Sequence, residues 1–501
     1  MYARLRKVSP LTALEVTALV GFGVLAIHTI ATPERSPVRV PLNGTALATG
    51  PANERWMGIY FEDQPVGYAV ESRRPTQDGQ TLIASRSVFR LASMGEIQAV
   101  ATSGTALLDA ERQLVSFDIV LSSGDVNLAA RGRVVPGGLQ MEVFQAGETR
   151  VLELPMEEPP QISLSFATAI EGRTLAVGDR FDLPWFDPVT LSQDRMQIGV
   201  TDVELIPGTA EEAYWLDVRV GEVRTRRLVT PSGDVLREEG GLGLSMVRMS
   251  REEAEGLASQ SPGVDLIALA AIPVETPIDR ARDAVAVDFE VSGAARIPHD
   301  PPLQTVDGVS VRIRVPLEAE IPALPLLASP TGHPEVDDAL APTFLLPSTH
   351  EEIRQKAIEV TGGATSRREA ARRLTNWVFT SVEKRPVLGV PHGLEVLRRL
   401  EGDCNEHTAL YVSLARAAGV PARIAAGLVY TDRMSGEPAF YYHAWPEVHL
   451  GGTPAWVPVD PTFGQFPADA THLKLVEGGL DRQVEIAGTM GRIRIAVQAV
   501  R

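Results

Sequence analysis

Between Trp56 and Met249 the chain alternates apolar and polar positions in short runs, which glycines and prolines interrupt. A period of two is typical of half-buried β-strands, because successive side chains of a strand point to opposite faces of the sheet. The segment Pro231-Ser232-Gly233-Asp234 lies between two such runs and has the composition of a hairpin turn. We therefore predict an antiparallel, β-rich accessory domain over residues 55–275.

The same strand-like pattern returns briefly after this region. The run from Val309 to Val315 alternates again, and several prolines between residues 328 and 349 are typical of an irregular connection. We predict that residues 276–345 form a second β segment and a linker.

The C-terminal part changes from a period of two to helical spacing and then back to strands. Ser366 followed by Glu369 is a capping-box pattern, and Gly419 with Pro421 is a typical helix stop. Helices followed by an antiparallel sheet make an α+β fold, which we predict for residues 346–501. The predicted helices are 350–360, 366–382, 394–400 and 405–418, and the predicted strands are 422–430, 441–450 and 455–460.

The N-terminus carries the most apolar run of the chain, from Val16 to Ala31, behind three basic residues. Extended back to Leu11, it reaches the roughly 17–25 residues that a spanning helix needs, and the basic flank predicts a cytoplasmic N-terminus. We predict a signal anchor over residues 1–31 and a tether over 32–54, so that the bulk of the chain is extracytoplasmic, or periplasmic in a Gram-negative host. A cleaved signal peptide is the alternative.

Charge and cysteine content exclude several classes of function. The 47 basic and 64 acidic residues give a formal net charge of −17, which opposes non-specific binding to nucleic acid. The chain has one cysteine, so a disulfide within the chain and a zinc site built on several cysteines are excluded. We expect no cofactor, no metal ion and no nucleic-acid partner.

That single cysteine, Cys404, directly precedes the predicted helix 405–418. A helix N-terminus presents unpaired N–H groups and partial positive charge, which stabilise a thiolate and lower the pKa of the thiol. The same N–H groups can stabilise an oxyanion that develops on a substrate. This position favours Cys404 as a nucleophile.

A hairpin near the C-terminus brings together a base and a carboxylate. If Gly451-Gly452 forms a two-residue turn, His443 lies directly opposite Asp460, and their side chains share one face of the sheet. If the loop instead has four residues, from Gly451 to Pro454, the two are diagonal neighbours on the same face. Both registers allow a hydrogen bond between the imidazole and the carboxylate.

Four short segments around these three residues form a wider pattern. They are Gly402-Asp403-Cys404-Asn405-Glu406-His407, Arg416-Ala417-Ala418-Gly419-Val420-Pro421-Ala422-Arg423, His443-Ala444-Trp445-Pro446-Glu447-Val448 and Trp456-Val457-Pro458-Val459-Asp460-Pro461-Thr462. Together they resemble the transglutaminase-like superfamily of cysteine enzymes, over roughly residues 345–465. The resemblance implies a papain-like core in which Cys404 is the nucleophile, His443 the base and Asp460 the carboxylate that orients it.

The remaining polar and aromatic residues of these segments have simpler explanations. Asp403 and Glu406 suit a helix N-terminus without any catalytic role. We interpret His407 as structural or as a support of the site, and Trp445 and Trp456 as packing residues.

The pattern predicts acyl transfer at amide or ester bonds through a thioester, on a protein or peptide substrate. Water as the second nucleophile gives hydrolysis, and an amine gives transamidation. The alternative is a catalytically silent binding module of the cell envelope, tethered to the membrane. The oligomeric state is left open.

Overall fold

The computed structural model describes residues 53–501 apart from 62–63, 94–95, 124–125, 207–208, 222, 241–243, 261–263, 266–270, 295, 330, 386, 388–389, 433–437 and 488–491. The predicted anchor over 1–31 and nearly all of the tether over 32–54 lie outside the described residues. A search of the described helices finds none with the length and apolar character needed to cross a membrane.

The described residues divide into two compact units. The N-terminal unit comprises the described part of Gly23–Asp265, with Val390, and the C-terminal unit comprises the described parts of Leu266–Val387 and Pro391–Arg501.

The N-terminal unit is dominated by one antiparallel sheet, to which 15 strands of the described residues belong. The sheet runs in sequence order from β8 back to β1, continues through the pairing of β1 with β14, and runs back to β9, while β15 joins β3 in parallel. The predicted hairpin at 231–234 joins β12 to β13. The strands are β1 Asn53–Phe61, β2 Gln64–Pro75, β3 Thr81–Ser93, β4 Glu96–Leu108, β5 Leu114–Ser123, β6 Val126–Val135, β7 Gly138–Gln145, β8 Glu148–Pro155, β9 Arg180–Asp187, β10 Ser192–Leu205, β11 Glu212–Val220, β12 Val223–Val229, β13 Val235–Glu239, β14 Leu244–Met249 and β15 Val264–Asp265, and the helices are α1 Phe166–Ile170 and α2 Arg251–Gln260.

The C-terminal unit contains helices and smaller sheets. Among its described residues, one sheet has β23 at its centre, paired with β16, β22 and β24, and β22 also pairs with β25. A second sheet has the order β18-β19-β17-β26. The short strands β20 and β21 pair with each other. Its strands are β16 Ile272–Pro273, β17 Ala286–Ser292, β18 Gln304–Asp307, β19 Ser310–Arg314, β20 Glu383–Lys384, β21 Glu401–Gly402, β22 Ala422–Thr431, β23 Ala439–His449, β24 Trp456–Pro458, β25 Leu473–Glu477 and β26 Arg494–Val500. Its helices are α3 Pro334–Asp338, α4 Glu351–Thr361, α5 Arg367–Ser381, α6 Gly393–Arg399, α7 Cys404–Ala417 and α8 Leu480–Ala487.

Strands outweigh helices among the described residues, so the α+β description applies to the C-terminal unit rather than to all of the described chain. The helix N-termini follow the sequence signals: the Ser366 hydroxyl accepts a hydrogen bond from the Glu369 N–H and caps α5. Helix α7 is buried from Cys404 to Ala415, and only its last two residues are partly exposed. It packs against α4, α5 and α6 and against β22 and β23. Because the helix is packed on several sides, its first residue, Cys404, is held in a fixed position.

The hairpin between β23 and β24 adopts the longer of the two loops. The Leu450 N–H donates to the carbonyl of Ala455, and His449 pairs with Trp456. His443 and Asp460 are therefore diagonal rather than directly opposite, and Asp460 lies just beyond the end of β24.

The packing of α7 predicts a large difference between two leucine-sized side chains of the helical layer. Leu410 is fully buried in the core around α7, whereas Ile358 on α4 is 69% exposed. Leu410→Ala should destabilise the C-terminal unit by about 2–5 kcal/mol, because it removes buried methyl groups and leaves a cavity. Ile358→Ala should cost no more than about 0.5 kcal/mol. Amide hydrogen exchange across α7 measures both, and equal losses would contradict this packing.

Candidate active site

Cys404 is the first residue of α7, and its side chain lies at a tightly capped N-terminus. The Asp403 carboxylate accepts from the Asn405 N–H at 2.7 Å, and the Glu406 carboxylate accepts from the Asp403 N–H at 3.0 Å. Gly402 precedes this cap with φ 153°, and a Cβ there would lie 2.2 Å from the Glu406 side chain. The glycine is therefore required for the chain to enter the helix at this angle.

The resting Cys404 thiol is neutral, whereas the helix terminus alone would lower its pKa and favour the thiolate. Burial raises the pKa of the Cys404 thiol well above its usual range, and the charge of Asp403 adds to the rise, while a hydrogen bond with the backbone of Ala444 acts in the opposite direction. Only 4% of the cysteine is exposed. Loss of water around the sulfur thus outweighs the helix dipole, and a base is needed to form the thiolate.

A histidine and an aspartate on the adjacent hairpin form a buried pair. His443 Nε2 lies 2.8 Å from Asp460 Oδ2, and both side chains are almost completely buried. The other oxygen of the carboxylate, Oδ1, accepts from the N–H groups of Thr462 and Phe463 at 2.7 and 3.0 Å. The turn that follows β24 therefore fixes Asp460, and Asp460 fixes the orientation of the His443 ring.

The start of α7 packs on β23, the strand that carries His443. The backbone partner of the Cys404 thiol is Ala444, the residue that follows His443. One turn further along α7, the Thr408 hydroxyl donates to the Ala444 carbonyl at 3.1 Å. His443 Nε2 faces Asp460, which leaves Nδ1 as the other ring nitrogen. The structure thus brings the three predicted site residues into one buried region of the C-terminal unit.

A second histidine, His472, binds the same carboxylate and was not anticipated from the sequence. Its Nε2 lies 3.0 Å from Asp460 Oδ2, and its Nδ1 lies 3.0 Å from the main-chain oxygen of Asp469. The Asp469 carboxylate in turn pairs with Arg282 at 2.7 Å. A histidine 12 residues after Asp460, in an irregular segment without strand alternation, offers no register from which this contact could be derived.

These contacts set the charge of each member. Burial alone would raise the pKa of Asp460, but the charge of His443 and hydrogen bonds from both histidines hold it well below its usual range. Burial lowers the pKa of His443; Asp460 opposes this, and the charge of His472 lowers it further. Although burial favours a neutral ring, Asp469 and Asp460 raise the pKa of His472 to about 9. His472 is therefore a cation at neutral pH, whereas His443 is neutral.

His407 is fully buried near His443 and Asp460. Its Nδ1 lies 2.6 Å from the main-chain oxygen of Asp403, while Nε2 has no hydrogen-bond partner among the described residues. Burial lowers its pKa to about 4, so the ring is neutral. Trp456 donates to Glu335 and contacts His449, and the Trp445 ring lies nearly parallel to that of His443, with centroids 6.1 Å apart.

A family model matches part of the C-terminal unit. Residues 354–461 match the model of the transglutaminase-like superfamily. This segment is a transglutaminase-like core. No curated protein matches the chain.

Solved structures with some likeness to this chain include two bacterial proteins described as candidate proteases. A candidate cysteine protease from Cytophaga hutchinsonii is 15% identical, with 44% of this chain and 85% of that chain covered and a TM-score of 0.27. A candidate protease from Parabacteroides distasonis is 10% identical, with 69% of each chain covered and a TM-score of 0.20. A β-barrel-like DUF1849 protein from Brucella abortus is 12% identical, with 39% of this chain and 94% of that chain covered and a TM-score of 0.32.

The cluster of His443, Asp460 and His472 also has the composition of a metal site, because one ligand atom from each lies within 4.8 Å of the others. The distances of 2.8 and 3.0 Å from the two imidazoles to Oδ2 are those of hydrogen bonds. Two ligands of a tetrahedral zinc ion, each bonded at about 2.1 Å, would lie about 3.4 Å apart. The arrangement therefore fits a hydrogen-bonded network.

The buried network around Asp460 predicts a larger loss of stability on mutation than an exposed ion pair elsewhere in the C-terminal unit. Asp460→Ala should destabilise this unit by about 3–5 kcal/mol, because it removes the partner of a buried cation. The control is Asp288→Ala, whose partners Arg312 and Arg501 are more than half exposed and whose loss should cost at most about 1 kcal/mol. Hydrogen exchange in β22 and β23 at pH 7 measures both. A cost for Asp460→Ala no larger than that of the control would contradict the network.

Proposed function

We propose that the C-terminal unit catalyses cysteine-dependent acyl transfer at amide or ester bonds. The observation that carries the proposal is the position of the single cysteine at the capped start of α7, which packs on the strand that bears His443, the partner of the buried Asp460. A thiol nucleophile needs an adjacent base, and the base needs a group that holds it in the right tautomer. These are the parts that Cys404, His443 and Asp460 supply.

In the first half-reaction, His443 Nδ1 takes the thiol proton while the sulfur of Cys404 bonds to the carbonyl carbon of the substrate. The backbone N–H groups at the start of α7, that of Cys404 first, stabilise the oxyanion that forms. The tetrahedral intermediate collapses, the bond from carbon to the leaving nitrogen or oxygen breaks, and His443 returns the proton to the leaving group. A thioester remains on Cys404.

In the second half-reaction, His443 removes a proton from the incoming nucleophile, which bonds to the thioester carbon. The carbon–sulfur bond then breaks, and His443 returns the proton to Cys404. Because the resting thiol and imidazole are both neutral, proton transfer accompanies attack instead of preceding it. Asp460 remains a carboxylate throughout and stabilises the imidazolium that forms on His443.

We favour water as the second nucleophile, which makes the protein a protease or amidase rather than a crosslinking enzyme. Water is always present, and its exclusion would require a dedicated acceptor site. A protein or peptide is the proposed substrate. The apolar run from Val16 to Ala31 and the basic residues before it support a reaction on the outer side of the membrane.

The reactivity of Cys404 tests this proposal, since the chain has no other thiol to label. Iodoacetamide should label the full-length protein at pH 6–8, below the ordinary thiol pKa of about 8.5, because His443 accepts the proton. His443→Ala should slow labelling at least tenfold.

The matched control is His449→Ala, which removes a partly buried histidine from the same strand and should leave the labelling rate unchanged. Labelling that proceeds at the same rate with and without His443 would overturn the enzyme assignment and favour a silent binding module.

A further inference from the structure

The two imidazoles that share Asp460 differ in what surrounds their other nitrogen. His472 Nδ1 lies against the main-chain oxygen of Asp469, whereas the bond of His443 to Asp460 uses Nε2 and leaves Nδ1 as its second nitrogen. The imidazole rings of His443 and His472 lie 5.7 Å apart between centroids, and both side chains are buried. One carboxylate oxygen, Asp460 Oδ2, therefore accepts hydrogen bonds from both His443 and His472.

Counting donors and acceptors determines how many protons His472 carries. A main-chain carbonyl can only accept a hydrogen bond, and so can an ionised carboxylate. His472 must therefore donate from Nδ1 to the Asp469 carbonyl and from Nε2 to Asp460 Oδ2, which requires both ring nitrogens to be protonated. His443 needs a proton only on Nε2, so its Nδ1 can remain bare and act as an acceptor.

The neighbouring charges favour this cation. Asp469 approaches His472 from its own segment, Asp460 from the turn after β24, and Arg282 lies behind Asp469. The aromatic rings of Trp445 and Phe463 also lie beside His472, with centroids 5.1 and 6.3 Å from that of the imidazole. The series from Arg282 to Asp460 thus alternates positive and negative charge.

We propose that His472 is a positioning residue: a fixed imidazolium that holds Asp460 Oδ2 in place and keeps His443 unprotonated and ready to act as a base. Without its charge, the full negative charge of Asp460 acts on His443 and draws a proton onto Nδ1, where it blocks acceptance of the thiol proton. The raised pKa of His472 and the lowered pKa of His443 agree with this arrangement. The catalytic consequence rests on the function proposed above, but the charge relation does not.

Two substitutions separate the charge of His472 from its hydrogen bond to Asp460. The amide nitrogen of glutamine can replace His472 Nε2 as a donor to Asp460, so His472→Gln removes the charge and the bond to the Asp469 carbonyl but keeps the bond to Asp460. His472→Leu removes both the charge and the donor. His449→Gln is the control, because it removes a histidine of the same strand as His443 outside the network.

Imidazole NMR reads the charge relation without any need for turnover. The chain has nine histidines, few enough to assign after selective labelling, and the Cys404→Ser background removes the thiol. His472 should remain doubly protonated from pH 6 to 8. In His472→Gln, the titration midpoint of His443 should rise by about one pH unit, since a cation has been removed from its surroundings; His449→Gln should leave it unchanged.

The catalytic consequence is read from acylation of the protein with intact Cys404 by 4-nitrophenyl acetate. His472→Gln should move the acid limb of the acylation rate upward by about one pH unit and leave the plateau within about threefold. His472→Leu should lower the rate at least tenfold at every pH, because Asp460 loses its second anchor.

Three results would overturn the proposal. The first is a singly protonated His472 at pH 6–8. The second is an unmoved His443 midpoint in His472→Gln together with a lower thermal midpoint, which would make His472 structural only. The third is stoichiometric binding of Zn²⁺ that disappears in His472→Gln, which would make the cluster a metal site. Failure of the proposed function gives a different pattern: no acylation of the wild-type protein, with the NMR behaviour of both histidines as expected.

Discussion

The geometry of the candidate site depends on one carboxylate oxygen, Asp460 Oδ2, which accepts hydrogen bonds from two buried imidazoles. The arrangement holds because the other oxygen is satisfied by two backbone N–H groups of the following turn. An ionised carboxylate is stable in a buried site only with such compensation. The same carboxylate fixes the tautomer of His443, because the proton on Nε2 is donated to Asp460 and Nδ1 is left without one.

The fold supplies this geometry through two rigid elements. Helix α7 begins at Cys404 because Asp403 and Glu406 cap it, and the burial of residues 404–415 restricts the position of its first residue. Strand β23 lies at the centre of its sheet and carries His443. Burial raises the pKa of the Cys404 thiol and lowers that of His443. Both groups therefore rest in their neutral forms.

Some of this could be predicted from the sequence, and the reason differs from residue to residue. The pairing of His443 with Asp460 follows from hairpin registers that both place them on one face, and the cap before α7 follows from local residue types. His472 could not be found this way, since its contact with Asp460 arises from an irregular turn that has no periodicity. The neutral thiol was missed because burial of Cys404 depends on packing from several elements, whereas the helix terminus alone predicts the reverse shift.

The central claim is that Cys404 forms a covalent acyl intermediate with the help of His443. Its most direct test is intact-mass analysis of the full-length protein, quenched within seconds of mixing with 4-nitrophenyl acetate at pH 7. The account predicts one acetyl group per chain, mapped to Cys404, absent from Cys404→Ser and strongly reduced in His443→Ala. An unmodified Cys404, or equal acetylation of Cys404 with and without His443, would contradict it.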